Sequence, residues 1–138
     1  MEKTKITIET QIAAAVEKVW TFWTEPQHIK NWTFASDDWH APSAENDLRN
    51  GGSFSTRMEA KDGSMGFDFS GIYHEIITNQ YIGYTIGDGR KVAIHFENLG
   101  NQTKVTEIFE AEETNPVEMQ RSGWQSILDH FKIYTENN

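Results

Sequence analysis

The stretch "TNPVEMQRSGWQSILDHFKIY", residues 114–134, decides the fold. Val117, Trp124, Ile127, Leu128, Phe131 and Tyr134 recur at the spacing of a helix with one apolar face. Its start is also written in the sequence. Asn115 reads as the N-cap, Pro116 as the first helical residue and Glu118, three past the cap, completes a capping box. Gly123 lies in the middle beside Trp124 and costs about 1 kcal/mol relative to alanine, which close packing against a sheet would offset. A long amphipathic helix of this kind needs a second layer to cover its stripe.

Working back from that helix, the chain supplies the layer. "TKVTEIFEA" (103–111), "KVAIHFENL" (91–99), "QYIGYTI" (80–86), "MGFDFSGIYHEII" (65–77) and "GSFSTRMEA" (52–60) read as strands. Alternation puts Phe54, Met58 and Ala60 on one face, and Val92, Ile94 and Phe96 on one face of a later strand. Most of the joints are short turns: "KDGS", "DGR" and "GNQ", in the first of which Gly63 supplies the positive φ that a hairpin needs. Gly71 reads as a possible bulge, which leaves the side of the sheet occupied by His74 open. Further upstream, "KTKITIETQI" (3–12) alternates as a sixth strand. "AAAVEKVWTFWTEP" (13–26) and "PQHIKNW" (26–32) read as two short helices broken at Pro26, with Val16, Val19, Trp20, Trp23, Ile29 and Trp32 on their apolar faces. The order β-αα-β-β-β-β-β-α is an α+β arrangement, and it occupies residues 1–138 as one expected domain without linker or repeat. A curved sheet gripping a single helix leaves space between them, and ligand sites favour such concave, aromatic-lined spaces.

Between the second helix and the meander lies "SDDWHAPSAENDLRNGGSF" (36–54), which gathers Asp37, Asp38, His40, Glu45 and Asp47 around Trp39. Asp37 and Asp38 are adjacent and point apart in an extended chain, so they make a poor acid–base pair. His40 has no histidine partner two or four residues away, so no metal site is expected. The segment reads as a polar loop turning through Asn50-Gly51-Gly52 into the Phe54 strand, with Trp39 capping the core or a pocket mouth. No nucleophile elbow, phosphate loop or dinucleotide fingerprint occurs. His28, His40, His74, His95 and His130 fall on different elements. His95 reads as outward-facing and His130 as lying on the flank of the last helix.

Composition narrows the function classes. The 138 residues include no cysteine, which excludes disulfides, thiolate zinc sites and a cysteine nucleophile. With 12 Lys+Arg against 21 Asp+Glu the net charge is −9, the wrong sign for nucleic acid or an anionic membrane. There is no signal-peptide pattern and no run of eighteen apolar residues, so a cytoplasmic protein is expected. Five Trp, eight Phe and four Tyr suffice for a bulky core or for the lining of a pocket.

One residue breaks its pattern. The face of "TKVTEIFEA" that carries Thr103, Val105, Phe109 and Ala111 also carries Glu107. Either Glu107 points inward at the helix, or the register slips, or the position is a rim with access to water. An inward acid would have a raised pKa.

"VEKVWTFWTEPQHIKNW", "GGSF", "FDFSGIYHEI", "YTIGDGRKVAIHF", "QTKVTEIFE" and "GWQSILDHF" together resemble the START-like (SRPBCC) superfamily. Within it they are most similar to the branch named for the activator of the ninety-kilodalton heat-shock chaperone ATPase. The resemblance implies a helix-grip fold, in which a curved antiparallel sheet wraps a long C-terminal helix and encloses a cavity. With such a cavity, the reading is a protein that binds an apolar or aromatic small molecule, with Trp39, Phe54, Met58, Phe67, Phe69, Tyr84, Phe96, Glu107, Phe109, Trp124 and Leu128 expected to line the site. An enzyme of the cyclase/dehydratase type is the first alternative, with Glu107 as the candidate catalytic acid. A co-chaperone module is the second, although the activator's additional N-terminal domain has no room in this chain and a chaperone partner is not expected. No cofactor is expected.

Overall fold

Ile6, Ile8 and Ile12 alternate with exposed neighbours along β1 (Lys5–Ile12), and all three are buried. The computed structural model describes residues 4–138, so the Lys3 end of the expected strand lies outside the described residues. After β1 come α1 (Val16–Thr24), α2 (Pro26–Ile29), β2 (Trp39–Asn46), β3 (Ser53–Ala60), β4 (Gly66–Ile77), β5 (Tyr81–Ile86), β6 (Lys91–Asn98), β7 (Thr103–Glu110) and α3 (Val117–Asn137). The strands form one curled antiparallel sheet in the order β1-β7-β6-β5-β4-β3-β2, which with α3 makes the helix-grip α+β fold.

Five local readings are corrected by the structure. The polar loop is in part a seventh strand: β2 pairs with β3 at the sheet edge, with a register shift between His40 and Ser43, the stretch that contains Pro42. A proline lacks the N–H for a ladder, which confines it to such an edge or bulge. The bulge in β4 falls at His74 rather than Gly71, since Tyr73 pairs with Tyr84 and Glu75 with Gly83. His74 is therefore exposed. Gly71 is needed for a different reason: a Cβ there would lie 2.7 Å from the Thr85 carbonyl oxygen and 2.9 Å from the Phe54 ring. The first helix begins only at Val16, because Ala13 and Ala14 are held otherwise. The Ala13 N–H donates to Glu136 and the Ala14 carbonyl accepts from the Thr103 hydroxyl, both at 2.8 Å.

The last two corrections concern α3. Its N-cap is Pro116, with no side-chain cap, and Val117 is exposed. Asn115 instead hydrogen-bonds the Glu112 carboxylate, while the Gln120 side chain reaches back to the Glu112 and Asn115 carbonyls. A glutamine one turn inside the helix thus fastens the preceding loop to α3, and the capping box does not form. Gly123 does not pack on the sheet either: a Cβ there would meet nothing within 4 Å.

Phe131 and Leu128 anchor α3 among Ile6, Ile12, Ile94, Val105 and Phe109. The Phe131 ring stands edge-on to Trp23 and Trp32, at 4.7 and 4.8 Å, which ties α3 to α1 and the turn after α2. This cluster fills one end of the space between sheet and helix. The other end stays open.

Candidate functional site

The open end follows from strand alternation. Phe54, Thr56 and Met58 on β3, Phe67, Phe69 and Tyr73 on β4, and Ile82 and Tyr84 on β5 are spaced by two, so their side chains share the concave face. Trp124 and Ile127 cover them from α3, and Trp23, Ile29, Trp32 and Thr33 close the side nearest α1 and α2. Arg90 and Glu112 complete the wall. Together they line a cavity of about 340 Å³ that opens to solvent.

The aromatic rings are braced from behind. Trp124 stacks on Phe109 with centroids 3.9 Å apart and planes 9° from parallel, and it meets the Phe69 ring edge-on. Phe54 sits on Gly71 and stands edge-on to Tyr84 at 4.8 Å. Such contacts fix the rings and leave a preformed wall.

Glu107 on β7 lies between Ile8 and Ile94 in the adjoining strands and reaches the cavity with only 6% of its surface exposed. Its register is regular, so the inward alternative holds. Burial pushes its carboxyl up to about 8, so it is mostly protonated at neutral pH. Burial likewise holds the Tyr84 phenol well above its ordinary value, and a charge on Glu107 adds to this. Among the described residues nothing hydrogen-bonds the Glu107 carboxyl or the Tyr84 hydroxyl. The other polar groups of the wall are mostly engaged. Tyr73 donates to Asn46 at 2.6 Å, Thr33 to the Ile29 carbonyl at 2.7 Å, and Arg90 to Asp88 at 2.8 Å.

Of the residues expected to bind a ligand, Phe54, Met58, Phe67, Phe69, Tyr84, Glu107 and Trp124 lie on the cavity wall. Trp39, Phe96, Phe109 and Leu128 do not. Trp39 lies at the start of β2 against Phe67, and Phe96 is buried edge-on between Trp20 and Trp23. Phe109 backs Trp124, and Leu128 belongs to the core. Trp23, Trp32, Tyr73, Ile127 and Arg90 are wall residues that the sequence did not assign. Trp23, Trp32 and Ile127 carried a visible signal, an apolar helical stripe, but a stripe does not say whether it meets core or cavity.

The polar residues around Trp39 pair locally. His40 faces Glu59 at 3.8 Å, Asp47 holds Arg49, and Ser36 donates to Asp38. Among the described residues no group of three or more potential ligands is placed to hold a metal ion, and no helix is long and apolar enough to cross a membrane. No histidine lies on the cavity wall, so Glu107 is the acid–base group best placed there.

Comparison with known proteins agrees with the architecture. The family model described as Activator of Hsp90 ATPase homolog 1-like protein matches residues 13–136. The AHSA1-like protein from Aeromonas hydrophila is 41% identical, with a TM-score of 0.92 over 97% of this chain and 93% of that one. A protein from Cytophaga hutchinsonii is 59% identical, with a TM-score of 0.84 over the same shares. A Chromobacterium violaceum protein at 21% identity superposes with a TM-score of 0.86 over 97% of this chain and 98% of its own, which speaks for the fold alone. No curated protein matches the sequence.

Proposed function

This chain belongs to the Activator of Hsp90 ATPase homolog 1-like family, and we propose that it binds an apolar or aromatic small molecule in the cavity between sheet and α3. The observation that carries this reading is the cavity itself, about 340 Å³ walled by aromatic rings that their neighbours hold in place. Ligand pockets start at roughly 300 Å³.

Three wall tryptophans, Trp23, Trp32 and Trp124, make binding visible by fluorescence. Titration with the neutral dye N-phenyl-1-naphthylamine should give saturable energy transfer from tryptophan. Ile127→Trp, which fills the space under α3, should abolish it while the chain still folds. Native mass spectrometry of gently purified protein should show a retained small molecule. Dye binding that does not saturate, or that ignores Ile127→Trp, defeats the reading.

One observation favours an enzyme of the cyclase/dehydratase type as a second reading. Glu107 titrates near about 8, close to operating pH, as a general acid or base should. Conversion of a bound compound, lost in Glu107→Gln, would select it; binding without conversion selects the carrier. A co-chaperone role would use the outer surface, and association with the chaperone's middle domain that ignores Ile127→Trp would select that.

A further inference from the structure

Two polar side chains on the cavity wall stand apart from the rest because the fold gives them nothing to bond. Glu107 and Tyr84 are 6% and 7% exposed, and both reach the cavity. Among the described residues the Thr135 hydroxyl is the sealed side-chain polar atom without a partner, so Glu107 and Tyr84 present theirs to the cavity space, where a ligand can reach them. They stand on the same concave face, on β7 and β5, with β6 between them: Glu107 is in register with Ile94, Ile94 with Ile82, and Tyr84 is two residues further along. A charge on Glu107 would be felt at the Tyr84 phenol, consistent with that placement.

Resting on the small-molecule reading above, we propose that Glu107 and Tyr84 form a paired hydrogen-bond donor site for one oxygen acceptor, and that the ligand is a neutral aromatic compound carrying a carbonyl group. Both residues are protonated at neutral pH, so each presents an O–H and neither presents a charge. The remaining charged or titratable wall groups are already committed. Arg90 is bonded to Asp88 and to the Glu110 carbonyl, Glu112 accepts from Asn115, and Tyr73 donates to Asn46. Among the described residues Arg90 is the one cation on the wall, and Asp88 already balances its charge, so a carboxylate ligand would have to compete with Asp88 for it. An amine would have to ionise Glu107 in surroundings that resist the charge, and desolvating both partners works against such a pair. A carbonyl oxygen has two lone pairs and asks for two donors. The rings of Phe54, Phe69 and Trp124 would hold its aromatic body.

The test compares 2-acetylnaphthalene with 2-ethylnaphthalene, which share size and shape and differ in the carbonyl oxygen. Competition against N-phenyl-1-naphthylamine at about pH 6.5 reads both affinities. The ketone is expected to bind about tenfold more tightly, the worth of one to two net hydrogen bonds. Tyr84→Phe should cut that preference to about threefold, and Glu107→Leu should cut it similarly. Glu107→Gln keeps an N–H donor and should retain most of it. Equal affinity of the two probes overturns the donor pair and leaves cavity binding intact. Tighter binding of 2-(aminomethyl)naphthalene, with loss of a proton from Glu107, overturns it in favour of an amine. Failure of every naphthalene to displace a saturably bound dye overturns it too. Failure of the dye itself defeats the underlying reading instead.

Discussion

Replacing Glu107 by glutamine should change how stability depends on pH more than it changes stability itself. The carboxyl titrates at 4.5 in an unfolded chain and near about 8 in the fold, because burial disfavours its charged form. Between those values the unfolded chain holds fewer protons at this site than the folded one, so stability falls as pH rises. The contribution of Glu107 is whole below about pH 4.5, declines through neutrality and levels off above about pH 8. The full span corresponds to roughly 5 kcal/mol, of which roughly 3 is already lost at pH 7. Glu107→Gln removes this slope because the amide does not titrate. Asp62, Asp88 and Glu136 have lowered pKa values and push stability the other way with pH, but they are common to both proteins and cancel in the difference. Urea unfolding at about pH 5, 6, 7 and 8 should therefore show the variant gaining on the wild type by roughly 1 kcal/mol per pH step. A difference between the two that stays flat across this range refutes the buried neutral acid, and with it the donor role assigned to Glu107. Carboxyl-carbon NMR of the wild type gives an independent check, as the Glu107 midpoint should lie well above those of the exposed glutamates.

Three further substitutions probe the scaffold. Phe96→Ala removes a buried ring that stands edge-on to Trp20 and Trp23 away from the cavity, and should cost about 3–5 kcal/mol in denaturant unfolding. Gly123→Ala adds a Cβ that meets open space on a helix, so the midpoint should rise by about 1 kcal/mol of added stability. Thr135→Val replaces the buried hydroxyl on α3 that has no hydrogen-bond partner, and thermal unfolding should show a gain of about 1 kcal/mol.

What the sequence made legible divides by range. Elements with a sustained period were readable: the α3 stripe, the alternating strands and the turn at Gly63, where backbone chemistry is local. Edge strand β2 was hidden because it carries a proline, a register shift and several polar side chains, and only pairing with β3 makes it a strand. Local signals also misplaced the α3 start. Asn115 and Glu118 spell a capping box, but Glu112 captures the Asn115 side chain and Gln120 donates to the Asn115 carbonyl. The first miss is a partner strand overriding local preference, and the second is a competing set of hydrogen bonds within eight residues.

The cavity shows the same limit in a form that bears on function. Alternation correctly put Phe54, Met58, Tyr84 and Glu107 on one face, since side-chain direction in a strand is a local property. It also put Phe96 and Phe109 on that face, and they are core. What separates the two groups is where α1 and α3 touch the sheet: Trp20, Trp23 and Trp124 cover Phe96 and Phe109, and no side chain fills the space over Phe54 and Tyr84. That distinction depends on helix placement, which no single strand encodes. Glu107 is the exception that periodicity could flag. A carboxyl on an otherwise apolar face either breaks the register or serves a cavity, and the unbroken pairing of Ile8, Glu107 and Ile94 leaves the cavity.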